Sequence, residues 1–393
     1  MSVNTLDFNQ AANLLNYIVA YAKGQTPAST PSTTEAEFVS VGREGLLTGY
    51  DKLATAISVV LSSTIFNARP YSRKFADLYV DTQKYGAITR KLAVIDREFE
   101  DDQRFDLTDG ASVDPWEVKK PQVLQLNFYG ANEFQDHITI YTTQLDQAFK
   151  SSVEFSEFIS MIMTNMSDRI EQAHEELARG ALANLIGGID AIANANQNRH
   201  LLTEYNAATG LSLTATTVMQ PANFPGFITW AAGVIADVSN KLTCRSTIYH
   251  QNITGKVLAK HTPKDDQRFY MASDFLEAMK AQVASGLYHN EPLQLNAEAV
   301  EYWTDLADPR TVKCAGLAYL KNDGTIQSAS GVTTVDNVLG LICDRDAVGY
   351  TTINSQVLST PINAAGGYTN MYWHFTDKYF NAFEENAVVF YLD

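Results

Sequence analysis

The 393 residues, of which 45% are hydrophobic, suffice for one large domain or two to three ordinary ones, and they argue against a disordered chain. There are 29 lysines and arginines against 45 aspartates and glutamates, a formal net charge of −16. This balance argues against a protein that grips nucleic acid, though not against one that encloses it. The three cysteines include no CxxC pair, which excludes a disulfide framework and fits a reducing cytosol.

The first part of the chain, residues 1–67, is predicted to form an N-terminal arm. Apolar residues at helical spacing between Leu14 and Ala22 predict an amphipathic helix, and the segment lacks the basic start of a signal peptide. A linker rich in Ser, Thr and Pro follows at 24–37, and a second helix is predicted at 50–62. No apolar run approaches the ~18 residues that a membrane span needs.

Residues 68–135 are predicted to form a long, irregular β-arm. Aromatic and β-branched residues alternate in part with polar ones and are broken at Gly86. The stretch "QVLQLNFYG" predicts a strand of period 2 with Val123, Leu126 and Phe128 as the apolar residues of one face, and "HITIYTTQL" predicts another.

The clearest local signal predicts one long helix at about 151–186. Ser151 with Glu154 three places later is the pattern of a capping box, and apolar residues then recur at a period of 3.6. Gly187 and Gly188 are predicted to end the helix. A helix of about 34 residues would run ~50 Å and would act as a spine for other elements.

From about residue 200 to 345 the pattern alternates between short helices and strands. A helix is predicted at 225–238, a strand at "CRSTIYHQN", and short helices at "ITGKVLAK" and "DFLEAMKAQV". Asn322-Asp323-Gly324 predicts a tight hairpin turn, and the final "ENAVVFYLD" predicts a closing strand. Together these signals predict the α+β class.

The acidic stretch "IDREFEDDQRFDLTDG" raises the question of a metal or catalytic site. When Gly110 is aligned with the glycine of an EF-hand loop, Leu107 and Phe105 fall where oxygen ligands are required, so the match fails. On a strand, Asp96, Glu98 and Glu100 share one face, which forms a strip and not a convergent cage.

A second candidate, on the predicted long helix, also fails. Glu171 and His174 have the spacing of a di-iron carboxylate helix, but no other histidine in the chain has a glutamate three residues before it. The zinc-protease motif HExxH would require a histidine at Ala178. His174 is therefore predicted to be a surface or packing residue, and no catalytic, metal-binding or cofactor-binding residue is assigned.

The arm carries two strips of opposite charge. Residues 67–92 hold six basic and two acidic side chains, and 95–118 hold nine acidic and two basic ones. Such strips can neutralise each other within one hairpin, or they can set register and partner choice between subunits. The candidate subunit-interface residues are Arg69, Arg73, Lys74, Lys84, Arg90, Lys91, Asp96, Glu98, Glu100, Asp101 and Asp102.

The order of these parts resembles the major capsid protein of tailed bacteriophages, with the Hong Kong 97-like capsid fold. The segment "FSEFISMIMTNMSDRIEQAHEELARGALANLI" looks like the spine helix of that family, and "GLICDRDAVGYTTINSQ" with "YWHFTDKYFNAFEENAVVFYLD" looks like its closing strands. The resemblance implies an N-arm at 1–67, an extended β-hairpin E-loop at 68–135, a P-domain at 136–205 and 346–393 that contains the spine helix, and an A-domain at 206–345.

The resemblance also implies the function. The expected protein is a structural head protein, not an enzyme, which self-assembles as hexamers and pentamers into an icosahedral shell around packaged double-stranded viral DNA, in the virion capsid. Assembly is expected in the host bacterial cytoplasm, without a membrane or a cofactor. Expected partners are a scaffolding protein in trans, a portal and a decoration protein. The short N-terminal segment leads us to expect no cleaved scaffolding domain.

Three alternatives stay open from the sequence. An encapsulin-like bacterial compartment shell of the same fold would carry cargo enzyme in place of DNA. Another phage structural piece, a tail or portal component, would not form large icosahedral particles. A soluble metal-dependent enzyme that uses the acidic cluster 96–109 would bind stoichiometric metal.

Overall fold

The computed structural model of the chain forms two compact units. The first comprises Met1–Ala87, Gly130–Leu177 and Thr351–Lys378, and the second comprises Ile88–Tyr129, Ala178–Tyr350 and Tyr379–Asp393. The predicted four-part organisation stays a prediction. The structure describes residues 7–26, 32–63, 73–80, 89–95, 102, 108–110, 112–114, 116, 118–128, 131–286 and 297–393.

Helices and strands alternate along the described residues. The α-helices are α1 (Phe8–Lys23), α2 (Glu35–Leu46), α3 (Tyr50–Ser63), α4 (Thr142–Ala148), α5 (Ser152–Ile192), α6 (Leu201–Thr209), α7 (Ala215–Val218), α8 (Phe224–Lys241) and α9 (Ser273–Gly286). The strands are β1 (Thr89–Val94), β2 (Val123–Phe128), β3 (Asn132–Tyr141), β4 (Asn198–His200), β5 (Gln267–Ala272), β6 (Glu298–Val300), β7 (Val312–Ala315), β8 (Ala318–Leu320), β9 (Ile326–Ser328), β10 (Val332–Val335), β11 (Val338–Asp344), β12 (Val348–Ser359), β13 (Tyr368–Asn381) and β14 (Ala387–Tyr391).

The N-terminal helices form part of the core of the first unit. Asp7 and Gln10 close a capping box at the start of α1, and Gly24 ends the helix in the left-handed conformation. The helices α1, α2 and α3 share one hydrophobic cluster with α5 and with the sheet β12–β13–β3. In this cluster the ring of Phe38 lies 5.7 Å from that of Phe155. The two predicted helices are confirmed, whereas α2 was missed because its start lies within the predicted linker.

The three-stranded sheet of the first unit has β13 at its centre. β13 runs antiparallel to β3, with Met371 opposite Ile138. Met371 and Trp373 alternate with exposed or half-buried residues and contribute to the hydrophobic cluster, as expected for a sheet with one buried face.

The second unit is built on a five-stranded sheet in the order β4–β14–β11–β5–β6. The closing strand β14 is buried at all five positions and pairs with β11 antiparallel and with β4 in parallel. The helices α8 and α9 cover this sheet, where Phe227 and Phe275 meet at a ring separation of 6.2 Å. The predicted closing strand is therefore confirmed.

The long helix α5 extends farther than predicted. It has 41 residues, about 60 Å at 1.5 Å per residue, and it passes through Gly187 and Gly188 to Ile192. Its final residues need these glycines for close packing. A Cβ on Gly187 would lie 3.1 Å from Leu317, and a Cβ on Gly188 would overlap the ring of Phe383. The expectation that the glycine pair ends the helix was therefore wrong.

The remaining local predictions were correct where a turn was recognised and wrong where a turn was missed. The helix predicted at 225–238 is α8, and the predicted hairpin is β8 with β9, where Gly324 has φ 81°. The predicted strand at "CRSTIYHQN" contains only one isolated bridge, at Ser246, and "ITGKVLAK" is not helical. A tight turn at Gly255 with φ 76° interrupts the latter stretch.

Candidate intersubunit surface on the arm

The structure describes some of the candidate interface residues but not all. Arg73, Lys74, Arg90, Lys91 and Asp102 are described. The candidates that lie outside the described residues are Arg69, Lys84, Asp96, Glu98, Glu100 and Asp101. The acidic strip as a whole, and most of its register with the basic strip, therefore stays a prediction.

The described part of the arm is an antiparallel hairpin of β1 and β2. Val94 pairs with Val123 and Leu92 pairs with Gln125, so these four residues lie on one face. We call this the outer face. Leu124 on the opposite, inner face is only 6% exposed, whereas Val123 is 52% exposed. The expectation that Val123 lies on the same face as Leu126 and Phe128 was wrong. Val123 is an odd number of places from both, and such residues point to opposite sides of a strand.

The inner face of the hairpin contacts the rest of the second unit. The ring of Phe128 lies 5.7 Å from that of Phe380 on β13. On the neighbouring strand, the Nζ atom of Lys91 lies 2.7 Å from Oε1 of Glu385 and 3.6 Å from Oε1 of Glu384. Lys91 also donates a hydrogen bond to the backbone carbonyl of Asp346 at 3.2 Å. The hairpin is thus attached by an aromatic contact and by an ionic one.

The two glutamates lie in the turn that precedes β14. Their side chains are 3% and 9% exposed for Glu384 and Glu385 respectively, and Lys260 supplies a second ammonium group 2.7 Å from Glu385. Burial raises the pKa of Glu384, and Lys91 offsets only part of that effect. Burial acts in the same direction on Glu385, but Lys91 and Lys260 outweigh it and hold the pKa of Glu385 below its ordinary value.

The other basic candidates near the start of the arm contact the first part of α5. One guanidinium nitrogen of Arg73 lies 3.3 Å from Oε1 of Glu171 and 2.9 Å from Nδ1 of His174. The backbone N–H of Lys74 donates to Glu175 at 3.3 Å. Arg73, Lys74 and Lys91 therefore make contacts within their own chain, and a role for them between subunits stays a prediction.

His174 is a packing residue with a defined tautomer. Because the Arg73 guanidinium donates to Nδ1, the proton of a neutral imidazole lies on Nε2. That nitrogen is 3.4 Å from a carboxylate oxygen of Asp377, a fully buried residue on β13. Its spacing from Glu171 singled out His174 in the sequence. Its contacts Arg73 and Asp377 could not be predicted, because they are far away in the chain.

The arm also exposes apolar side chains that its charge pattern does not indicate. Large apolar side chains are exposed on the outer face of the hairpin and in the segment between its strands. They are Leu92, Val94, Val113, Trp116, Val118 and Val123. Such a concentration of exposed apolar side chains in one segment is typical of a protein–protein contact. The alternation of Leu92 and Val94 with Lys91 and Ala93 is the signal that could have revealed it.

The described residues also bear on the alternatives that the sequence leaves open. Among the described residues, no group of three or more His, Cys, Asp or Glu side chains is arranged to hold a metal ion. No helix in the described part of the chain is long and apolar enough to cross a membrane.

Comparisons with known proteins point in one direction. The model of the family described as "Phi29-like phage major capsid protein" matches residues 15–391. A chain from the capsid structure of Staphylococcus phage Andhra superposes with a TM-score of 0.54 at 7% identity, covering 84% of this chain and 87% of the other. A chain from the structure of head fiber and inner core protein gp22 of native bacteriophage P68 gives 0.53 at 9% identity, with the same two coverages. No curated protein matches in sequence.

Proposed function

This chain belongs to the Phi29-like phage major capsid protein family, and we propose on that basis that it builds an icosahedral shell, from hexamers and pentamers of itself, around packaged double-stranded DNA. Its role as a structural capsid protein of the virion, and its self-association into the shell, follow from the family. The icosahedral geometry and the enclosed DNA are the proposal. A shell of this kind requires many modest interfaces that close symmetrically.

The outer face of the arm is the observation that supports this proposal best. It exposes Leu92, Val94 and Val123 side by side, with Arg90 at its edge. A monomeric protein rarely leaves such residues exposed together on one face of a hairpin, because burying each of them away from water is favourable. We infer that a second copy of the chain covers this face in the shell.

The net charge supports the proposed content of the shell. A chain with a formal charge of −16 repels the phosphate backbone on average, so DNA can be enclosed without being gripped and without sequence-specific binding. We propose that a scaffolding protein acts in trans, that a portal and a decoration protein join the shell, and that assembly takes place in the host bacterial cytoplasm.

The alternatives are not favoured by these comparisons. Neither the family nor the superposed structures support a compartment shell that carries enzymes or a metal-dependent enzyme. The family assigns a structural role, whereas the metal-site proposal depended on the acidic cluster 96–109, most of which lies outside the described residues.

The test is assembly of outer-face variants. The full chain carrying Leu92→Ser, Val94→Ser and Val123→Ser should fold but fail to give closed particles in negative-stain electron microscopy. The matched control, with isoleucine at the same three positions, keeps the apolar surface and should still assemble. Normal particles from the serine variant would contradict the proposal.

The acidic strip is tested separately. Charge reversal at Glu98, Glu100, Asp101 and Asp102 should block or derail assembly while the subunit stays folded, because these carboxylates are proposed to pair with basic groups of a neighbour. Circular dichroism establishes the fold, and particle counts establish assembly. If the reversed variant assembles normally, the acidic strip is a solvated surface.

A further inference from the structure

The strand β1 carries two adjacent basic residues with opposite surroundings. Arg90 is exposed on the edge of the outer face, whereas the side chain of Lys91 points to the inner face and is 24% exposed. We propose that Lys91, Glu384 and Glu385 form an ionic latch, which holds β1 on its own unit and opens only when another positive charge neutralises the glutamates. This inference rests on the proposed function in one respect, that the arm works at a subunit contact.

The two carboxylates of the latch are buried. Glu384 and Glu385 are neighbours in sequence, and both side chains lie in the interior of the second unit. Oε1 of Glu384 accepts no hydrogen bond, and the ammonium group of Lys91 is 3.6 Å away from it. Removing one partner of a buried ion pair leaves an uncompensated charge, which is strongly unfavourable. The hairpin therefore cannot leave this position without a replacement for the lysine.

Other charged groups surround the latch. Lys260 pairs directly with Glu385, and its effect on the pKa of Glu384 is smaller than that of Lys91. The turn after β11 contributes the carbonyl of Asp346 to Lys91, and Asp344 lies close enough to Glu385 for the two carboxylates to repel each other. This turn therefore adds negative charge, which strengthens the requirement for a cation.

Solvent has access to one side of the latch. A groove of about 610 Å³ runs beside the latch and is lined by Leu92 and Val94 of the hairpin as well as by Glu385 and Lys260. Water and small ions can therefore reach the acidic turn while β1 is in place. The remaining charged groups that line this groove are Arg245, His261, Asp266, Asp344, Arg345 and Asp346.

These charges set the direction of the proton dependence. Burial raises the pKa values of Glu384 and Asp344, and Lys91 opposes that rise at Glu384. Loss of Lys91 therefore raises the pKa of Glu384 further, so opening of the latch is accompanied by proton uptake. By linkage, acidification favours the open latch, and neutral or alkaline conditions favour the closed one.

The consequence for the arm is a fixed orientation. While Lys91 is held on the inner face, alternation along the strand keeps Arg90, Leu92 and Val94 on the outer face. The latch is thus a positioning device for the proposed contact with a second copy, and it does not itself form that contact.

The experiment uses hydrogen exchange of the unassembled full-length subunit, read by mass spectrometry in the peptide that covers Thr89–Val94 and normalised to helix α8. In Lys91→Met this peptide should exchange about tenfold faster at about pH 7.5 than in the unmodified chain. The matched control Arg90→Met, next in sequence and opposite in direction, should leave exchange in the unassembled subunit unchanged. Lys91→Arg, which keeps the charge, should retain slow exchange.

The pH response completes the test. In the unmodified chain, normalised exchange of the hairpin should increase several-fold between about pH 7.5 and about pH 5.5, and Glu384→Gln should flatten this response. Equal exchange in the Lys91→Met and Arg90→Met variants would overturn the latch. An unchanged pH response in Glu384→Gln would overturn its control by charge. If Lys91→Met does not fold, the exchange rate of Lys91→Arg and the pH response of Glu384→Gln still test the latch.

Failure of the latch can be told apart from failure of the proposed function. Exchange is measured before assembly, so a closed latch can be found even if outer-face variants assemble normally, in which case only the subunit contact is wrong. Conversely, suppose that β1 exchanges fast in the unmodified chain and that outer-face variants block assembly. The latch would then be contradicted, and the proposed subunit contact would be supported.

Discussion

The two basic anchors of the arm differ in how deeply their partners are buried. Arg73, in the first unit, meets Glu171 at 3.3 Å, and both side chains keep some contact with solvent, at 19% and 27% exposure. Lys91, in the second unit, meets two glutamates that are almost completely buried. Since the acidic partners of Lys91 are far less exposed than Glu171, water screens the second pair less than the first, and the same formal charge stabilises the two regions to different degrees.

A strip of basic residues in a sequence is therefore not one functional surface. Within six basic residues of the same segment, Lys91 compensates buried acids, Arg73 contacts a helix, and Arg90 faces solvent. Of these three, only Arg90 is available for a partner without a change in the chain, and Arg69 and Lys84 lie outside the described residues. The sharpest way to examine this difference is to remove the anchors one at a time.

The largest effect is expected for Lys91→Met. Breaking a buried ion pair from one side costs about 3 kcal/mol of unfolding free energy at neutral pH. The penalty should shrink as the pH falls, because protonation removes the negative charges that the lysine compensates. Urea unfolding of the subunit between about pH 5 and pH 8 measures it. A penalty that grows on acidification would contradict the assignment.

A smaller effect is expected for Arg73→Met. The variant loses the hydrogen bond to His174 and the partly exposed pair with Glu171, about 1 kcal/mol of unfolding free energy. The same urea titrations give this number, and added salt should weaken the pair in the unmodified chain. If Arg73→Met costs as much as Lys91→Met, burial does not distinguish the two anchors.

Glu384→Gln tests the sign of the pH dependence at the buried anchor. The pKa of Glu384 is raised in the folded state, so this carboxyl contributes stability that is present below its unfolded pKa and is lost as the pH rises through the folded value. Glutamine does not titrate. The stability of the variant relative to the unmodified chain should therefore increase as the pH rises. A constant difference across the range would show that Glu384 titrates normally.

No change is expected for Lys241→Met. Its partner Asp237 lies one helical turn away on α8, and both side chains are more than half exposed. Exposed pairs of this kind contribute little to stability. This variant sets the baseline against which the two anchors are compared, and a loss equal to that of Arg73→Met would place the Arg73 pair among ordinary surface pairs.

Local patterns in the sequence predicted those elements whose causes are local. The first helix has its own capping residues at Asp7 and Gln10, and the β8–β9 hairpin has Gly324 at its turn. Gly187 and Gly188 were misread as a helix end because their reason is tertiary. They leave room for Phe383 and Leu317, which are more than a hundred residues away.

The candidate site shows the same division more strongly. Composition and charge runs were enough to single out the arm, and the order of parts was enough to indicate the family. The partners of Lys91 are nearly 300 residues farther along the chain, so no local pattern could separate it from Arg90 beside it. The spacing of the apolar residues Leu92 and Val94 is visible in the sequence. The many charged residues around them made the charge pattern the more prominent signal.

The most direct test of the central claim is a reconstruction of the assembled particle by electron cryomicroscopy, at a resolution that shows side chains. We expect a closed icosahedral shell in which a second copy of the chain covers Leu92, Val94 and Val123. A particle without closed icosahedral symmetry, or a shell in which these three side chains remain exposed to solvent, would contradict it.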